Sequence, residues 1–350
     1  MISIIGAGPS GSYLAYLLAK EGKQVHVFEE HEEIGKPIQC TGLVTGAIKD
    51  LIGLRDDFIV NMISKVRVYA PDGEYADFTL REPNYIFDRG KFDQYIAEMA
   101  ILQGARFHLK KKFVSFSEGK IRFLDGDLFE TDYLIGADGP MSSVAKNTGM
   151  FGERKFMNGM QARVKGEFVK DRFDVYLGEK YFGWSVPENE EFSRVGVVCY
   201  ENPKEHFDLL MGKFNGEIIE YQSGLIPVYK SGIKCRKDNV FLLGDAATQC
   251  KGSTHGGIIQ GMIAAQALKD AICDNGDYDK LWRKKLGRDL YVHLKIREKL
   301  DKMSEKDLNY MVKLVKQERV KKILEETDRD FAFKIGVNLL LKEPRFLRLF

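Results

Sequence analysis

The chain has 350 residues, of which 44% are hydrophobic and 30% charged, and a formal net charge of +2. This balance excludes a disordered chain and a nucleic-acid binder driven by bulk positive charge. No run reaches the roughly eighteen consecutive apolar residues that a membrane-spanning helix needs.

Residues 1–30 read as strand, turn, helix, strand. The apolar run Ile2-Ser3-Ile4-Ile5 meets a Gly-rich turn, and a helix follows from about Ser10 to Glu21 with Gly22 as its cap. Val25-His26-Val27-Phe28 is a short buried strand. Val66–Tyr69 and Tyr75–Leu80 flank Pro71-Asp72-Gly73 and predict a hairpin. An amphipathic helix is expected over Phe92–Leu102, then strands over Arg106–Phe129 and at Tyr133-Leu134-Ile135. Phe156–Tyr200 is strand-like, Val240–Leu243 is a buried strand, and Gly256–Ile272 is a helix rich in small residues. From about Asp279 the pattern is helical and charged.

The expected fold class is therefore α/β plus α+β, with two interleaved domains. A discontinuous nucleotide-binding domain is expected over 1–60, 88–150 and 236–275. An antiparallel-sheet substrate domain is expected over 61–87 and 151–235, and a C-terminal helical region over 276–350. Residues 275–350 hold twenty Lys and Arg against thirteen Asp and Glu. Such a tail can approach anionic lipid or nucleic acid, or be simply a solvated helical face. Leu339-Leu340-Leu341 and Phe346–Phe350 leave open an interfacial amphipathic surface or packing against the body.

The five cysteines, Cys40, Cys199, Cys235, Cys250 and Cys273, are widely spaced without a CxxC. Neither a disulfide framework nor a metal site is expected. The strand-like start argues against a signal peptide, and a reducing cytoplasm is the expected compartment.

Chemistry concentrates in three turns. Gly6-Ala7-Gly8-Pro9-Ser10-Gly11 lies between a strand and a helix. Gly6 suits the tight turn, Gly8 lets a pyrophosphate approach the backbone, and Gly11 permits close packing at the helix N-terminus. Glu29 ends the second strand, where a carboxylate accepts hydrogen bonds from ribose hydroxyls. Together these point to a dinucleotide but do not separate FAD from NAD. Gly136-Ala137-Asp138-Gly139 and Gly244-Asp245-Ala246-Ala247 each follow a buried strand.

With these two motifs added, the sequence resembles the aromatic-hydroxylase-like class of FAD proteins, whose Rossmann-like domain carries the same three turns. The resemblance implies that Asp245 binds the ribityl–pyrophosphate region of a non-covalent FAD. It also implies that the helix start Gly256-Gly257-Ile258 faces the flavin. A helix N-terminus there would stabilise negative charge on the reduced ring.

Two further segments are similar to those of geranylgeranyl reductases. They are Glu33-Ile34-Gly35-Lys36-Pro37-Ile38-Gln39-Cys40-Thr41-Gly42 and Asp88-Arg89-Gly90-Lys91-Phe92-Asp93. The resemblance places Cys40, Thr41, Gly42 and Arg89 around FAD, with Phe113 as an adenine-side backbone contact. The family's cavity motif, roughly Tyr-x-Trp-x-Phe-Pro, stands here as Phe182-Gly183-Trp184-Ser185-Val186-Pro187 after Tyr181. Trp184 and Pro187 are kept, while Phe182 and Val186 depart. The loop before the flavin helix, often written NPxxGGGI, is here Cys250-Lys251-Gly252-Ser253-Thr254-His255-Gly256-Gly257-Ile258.

Single residues keep two readings. Cys40 is a thiol near the flavin that positions substrate or supplies a proton, or a small packing residue. His255 is a proton donor or a structural histidine. Tyr181, Phe182, Trp184 and Pro187 line an apolar substrate cavity, or Trp184 belongs to the core of the second sheet.

The resemblance implies saturation of C=C bonds in geranylgeranyl chains of archaeal-type membrane lipids. NAD(P)H or an external electron carrier would supply the electrons, with a prenyl lipid, a redox partner and the inner membrane face as partners. An FAD monooxygenase or halogenase on the same fold, and a non-enzymatic prenyl-lipid escort protein, are the competing readings.

Overall fold

The computed structural model describes residues 1–326 and Arg345. In chain order the elements begin with β1 (Ile2–Ile5), α1 (Pro9–Lys20), β2 (Val25–Phe28), β3 (Leu43–Val44), β4 (Ile59–Tyr69) and β5 (Tyr75–Phe87). Next come α2 (Arg89–Leu102), β6 (Arg106–His108), β7 (Phe113–Ser117), β8 (Lys120–Phe123), β9 (Leu128–Glu130), β10 (Tyr133–Gly136) and α3 (Ser143–Asn147). Then follow β11 (Phe156–Lys165), β12 (Arg172–Gly178), β13 (Tyr181–Pro187), β14 (Phe192–Cys199), α4 (Pro203–Met211) and β15 (Glu217–Pro227). The last are β16 (Arg236–Lys237), β17 (Val240–Leu242), α5 (Ile258–Cys273), α6 (Tyr278–Trp282), α7 (Arg288–Leu300), α8 (Glu305–Val315) and α9 (Glu318–Glu326).

Contacts divide the chain into two compact units. The first holds residues 1–38, 89–155 and 227–291, and the second holds 39–88, 156–226 and 292–350. Residues 151–155 and 227–235, expected in the sheet domain, fall in the first unit, and two larger differences are present. Residues 39–60 fall in the second unit because β3 pairs with β5 (Leu43 opposite Ile86). A two-residue strand is too short to carry a readable alternation. The C-terminal helices also divide between the units. In α6 the Tyr278 hydroxyl donates to Leu242 O at 3.1 Å, while Val312 and Leu324 join the core of the second unit. The Leu339–Leu341 and Phe346–Phe350 segments lie outside the described residues.

The first unit is built on the order β16-β17-β10-β1-β2-β6. β1 runs parallel to β2 and to β10, as expected for strands buried on both faces. All four residues of β1 and of β2 are buried. A three-stranded sheet, β7-β8-β9, completes the unit, with Phe28, Phe123 and Phe129 packed around His26 and His108.

The second unit is an eight-stranded sheet, β15-β11-β14-β13-β12-β4-β5-β3. The predicted hairpin has its turn where expected but is longer in both strands at the end away from it, because they keep pairing from Tyr69/Tyr75 to Ile59/Phe87 past two register shifts. One face packs Ala162, Val164, Val195 and Val197 against Phe207 and Leu210 of α4. The other packs Ile63, Val66, Phe78, Ile86 and Phe173 with Val312 of α8 and Leu324 of α9.

Candidate cofactor and substrate site

The first unit brings all three glycine-and-carboxylate turns together. Gly6 has φ +103°, and a Cβ there would lie 2.4 Å from Ala137 O, so the first and second turns touch through backbone. A Cβ on Gly11 would lie 2.1 Å from Gly6 O. The third turn joins through Ser10. Its Oγ would be 2.8 Å from a Cβ on Gly244 and 2.0 Å from one on Gly261. Glycines at these positions let the first turns of α1 and α5 pack directly on the strand ends.

Gly8 differs from its neighbours. A Cβ there would meet no protein atom within 4 Å. Gly8 caps α1 without any side-chain hydrogen bond, and Pro9 follows as the first helical residue. The N–H groups of that first turn have no acceptor within the helix. No protein atom crowds this position, so its backbone is open to the approach of a group such as a pyrophosphate.

Glu29 closes the same turn. Its Oε2 accepts from Ala7 N at 2.8 Å, and its Oε1 accepts from His31 N at 3.1 Å and meets His31 Nδ1 at 2.5 Å. A carboxylate has about four acceptor sites, so capacity remains for a ribose hydroxyl.

Asp138 and Asp245 separate sharply. Asp138 Oδ1 accepts from the Ser142 hydroxyl at 2.6 Å and Oδ2 from Val144 N at 3.1 Å. It organises the start of α3, and burial raises its pKa. The Asp245 carboxylate receives no hydrogen bond from the described residues. Burial pushes its carboxyl up to about 6, opposed by the positive charge of Arg89. A Cβ on Gly257 would lie 2.9 Å from Asp245 Oδ1, so this carboxylate crosses the N-cap of α5. Ile258 is the first helical residue after it. A partly buried carboxylate without a donor, beside an open glycine turn, fits a hydroxyl-bearing dinucleotide.

Arg89 is held by Asp93, Nε to Oδ1 at 3.0 Å and Nη2 to Oδ2 at 2.9 Å. Gly35 packs on Gly90, where a Cβ would approach Gly90 Cα to 2.8 Å, and Gln94 Nε2 donates to Glu33 Oε1 at 3.1 Å. The two family-like segments are thus packing partners at the start of α2. Phe113 begins β7 with its side chain buried. His255 takes φ +58°, with its N–H donating to Lys251 O at 2.9 Å. A non-glycine residue in this region is strained by about 1 kcal/mol or more, a cost often found at functional loops.

In the second unit, Cys40, Thr41 and Gly42 form a turn on the large sheet. Gly42 has φ +72°, its N–H donates to Cys40 Sγ at 3.3 Å, and its carbonyl accepts from Phe87 N at 3.0 Å. The Thr41 hydroxyl donates to Gln161 Oε1 at 2.7 Å, and Gln161 Nε2 donates to Gln222 Oε1 at 2.6 Å. Arg194 Nη1 donates to Thr41 O at 2.6 Å and to Phe87 O at 2.9 Å. Sequence reasoning missed Arg194, Gln161 and Gln222, because isolated polar residues in strands carry no motif. A polar residue at an otherwise buried strand position was the only available signal.

The cavity residues do not share one face. Gly196 lies between Gln161 and Trp184, and a Cβ there would come within 2.5 Å of both. Trp184 and Phe182 pack on the core that includes α8 and α9. Tyr181 stacks on His206 at 4.8 Å and joins the opposite core, with α4. Alternation along β13 puts Pro187 on Tyr181's side. Of the four residues expected to line a cavity, Phe182 and Trp184 lie on the face that carries the Cys40–Gly42 turn, and Tyr181 and Pro187 lie on the other.

Residues 4–40 match the family model described as NAD(P)-binding Rossmann-like domain. The chain is 28% identical to digeranylgeranylglycerophospholipid reductase of Methanothrix thermoacetophila, over 92% of this chain and 93% of that protein. Among solved structures, it resembles a geranylgeranyl bacteriochlorophyll reductase-like protein from Thermoplasma acidophilum, with TM-score 0.87 and 24% identity over 100% and 98% of the two chains. It also resembles the flavin-dependent halogenase CmlS, with TM-score 0.68 and 16% identity over 99% and 78%.

Proposed function

We propose that this chain, which belongs to the geranylgeranyl reductase family, is an FAD-dependent reductase that saturates C=C bonds in the prenyl chains of archaeal-type membrane lipids. The observation that carries this reading is the extent of the likeness to a reductase of that name. It spans 92% of the chain, so it includes the large sheet as well as the nucleotide turns. The likeness to halogenases is one of fold alone.

The residues then divide the work. Gly8 and the first turn of α1 would hold the pyrophosphate, Glu29 a ribose, and Asp245 a hydroxyl of the ribityl region. When bound and reduced, FAD supplies the hydride. Gly257 and Ile258 start the helix whose N-terminus favours negative charge beside it. Cys40, Thr41 and Gly42 are assigned to the flavin by their motif, and Cys40 and His255 are the candidates to hold a proton. Phe182 and Trp184 offer apolar surface to a prenyl chain. An unactivated alkene is a poor hydride acceptor, so positioning and water exclusion are large terms.

Electrons would come from NAD(P)H in transient contact or from an external carrier, since the sequence holds one dinucleotide fingerprint. Among the described residues no helix is long and apolar enough to cross a membrane. Access to a lipid substrate would then be from the membrane surface.

The test is anaerobic incubation of the dithionite-reduced holoprotein with geranylgeranyl ether lipids, followed by mass spectrometry. A gain of about two mass units per reduced bond, with reoxidation of the flavin, is expected. Flavin that stays reduced with every prenyl lipid offered would overturn the reading. Oxygen-dependent product formation would point instead to monooxygenase chemistry.

A further inference from the structure

The Cys40-Thr41-Gly42 turn is tied down more heavily than a three-residue turn needs for folding. Beneath it lies an ionic group that the family-like motifs do not include. Glu188 is 8% exposed and accepts from two arginines, Arg194 Nε to Oε1 and Arg163 Nε to Oε2, each at 2.8 Å. This fork fixes the plane of the Arg194 guanidinium, whose side chain is 12% exposed. Nη1 is left to bridge Thr41 O at 2.6 Å and Phe87 O at 2.9 Å.

Enclosing charges in this way is a poor route to stability. The desolvation cost is several kcal/mol per ion, and apolar replacements are often as stable. A fixed guanidinium does, however, hold two carbonyls at set positions, as supporting residues do for a precise site. We infer that Arg194 is the positioning residue of the flavin-side turn, setting where the Cys40 thiol and the Thr41 backbone stand during reduction. This rests on the proposed assignment of that turn to the flavin. Glu188 and Arg163 act through Arg194. They hold its plane, and they touch none of the turn's groups in the described contacts.

Two variants and two readouts test this. Arg194→Met removes all donors, and Arg194→Lys keeps a cation for Glu188 but loses the planar fork. The first readout is steady-state reduction of a geranylgeranyl lipid by the holoprotein. The second is the iodoacetamide alkylation rate of Cys40 by peptide mass spectrometry. Cys273 is the internal control, since these two are the partly exposed cysteines and the other three are buried.

Displacing a positioned group by about 1 Å costs on the order of 100-fold in rate. We therefore expect Arg194→Met to lower kcat about 100-fold with KM changed less than about 3-fold, and Arg194→Lys to recover roughly a tenth of wild-type kcat. Cys40 alkylation should change several-fold in both variants while Cys273 stays at the wild-type rate. If Arg194→Met opens both cysteines, it has unfolded, and Arg194→Lys alone decides. Wild-type kcat together with an unchanged Cys40 rate in a folded variant overturns the inference. If the wild-type protein reduces no prenyl lipid, the functional reading fails, whereas the Cys40-to-Cys273 ratio still reports whether Arg194 holds the turn.

Discussion

Gly8 and Gly11 are three residues apart and limited by different neighbours. A methyl at Gly11 would run into Gly6 O, whereas one at Gly8 would meet only what the turn binds. Gly11→Ala should therefore destabilise the apoprotein by about 1–3 kcal/mol in chemical denaturation. Gly8→Ala should leave that stability near wild type yet weaken FAD at least about tenfold, which is about 1.4 kcal/mol, in fluorescence titration. Equal FAD affinity in Gly8→Ala and wild type would contradict the pyrophosphate assignment. Asp245 makes the opposite trade. Its folded pKa of about 6 lies above the ordinary carboxylate value near 4, so the folded state binds its proton more tightly than the unfolded state. Its contribution is favourable at low pH and is lost as pH rises through about 6, leaving a cost of at most about 3 kcal/mol at neutral pH. Asp245→Asn should raise the apoprotein Tm at pH 7.5 and lower FAD affinity, measured on the same preparation.

At the scale of elements, Gly196 shows how one strand position serves its neighbours. It lets the Trp184 ring lie across β14 beside Gln161, the residue that holds Thr41. Gly196→Ala should cost about 1–3 kcal/mol and shift the tryptophan emission, because the ring and the glutamine cannot both stay. Along β2 and β6, His26 Nδ1 lies 2.9 Å from His108 Nε2 in the aromatic cluster under the three-stranded sheet. Burial lowers both pKa values, helped for His26 by His108, Arg106 and the N-terminus and for His108 by Lys111 and Arg106. Depressed histidines stabilise the fold above their unfolded pKa of about 6.5, and that stability is lost as pH falls below it. The Tm should drop between pH 7.5 and 5.5, and His108→Phe should flatten the drop. An unchanged slope in that variant would remove the pair from the account.

For the molecule as a whole, the legible parts were those whose chemistry is written in a few adjacent residues. The strand-turn-helix at Gly6–Gly11, the carboxylate at Glu29 and the Gly244-Asp245 turn could be read directly, because glycine conformation and helix ends are local properties. The pattern from about Asp279 showed that the C-terminal region is helical and charged. It could not show that α6 takes the Leu242 carbonyl in one unit while α8 and α9 cover the large sheet in the other. The same holds for β13, where a motif read as one lining splits between two faces. Amino-acid order by itself determined the dinucleotide turns and the alternation of βαβ with strand-rich segments. Tertiary structure alone decided which carboxylate stays without a donor and which arginine holds the Cys40 turn. The Arg194–Thr41 bond joins residues 153 positions apart, and no local preference of either residue encodes such a pairing.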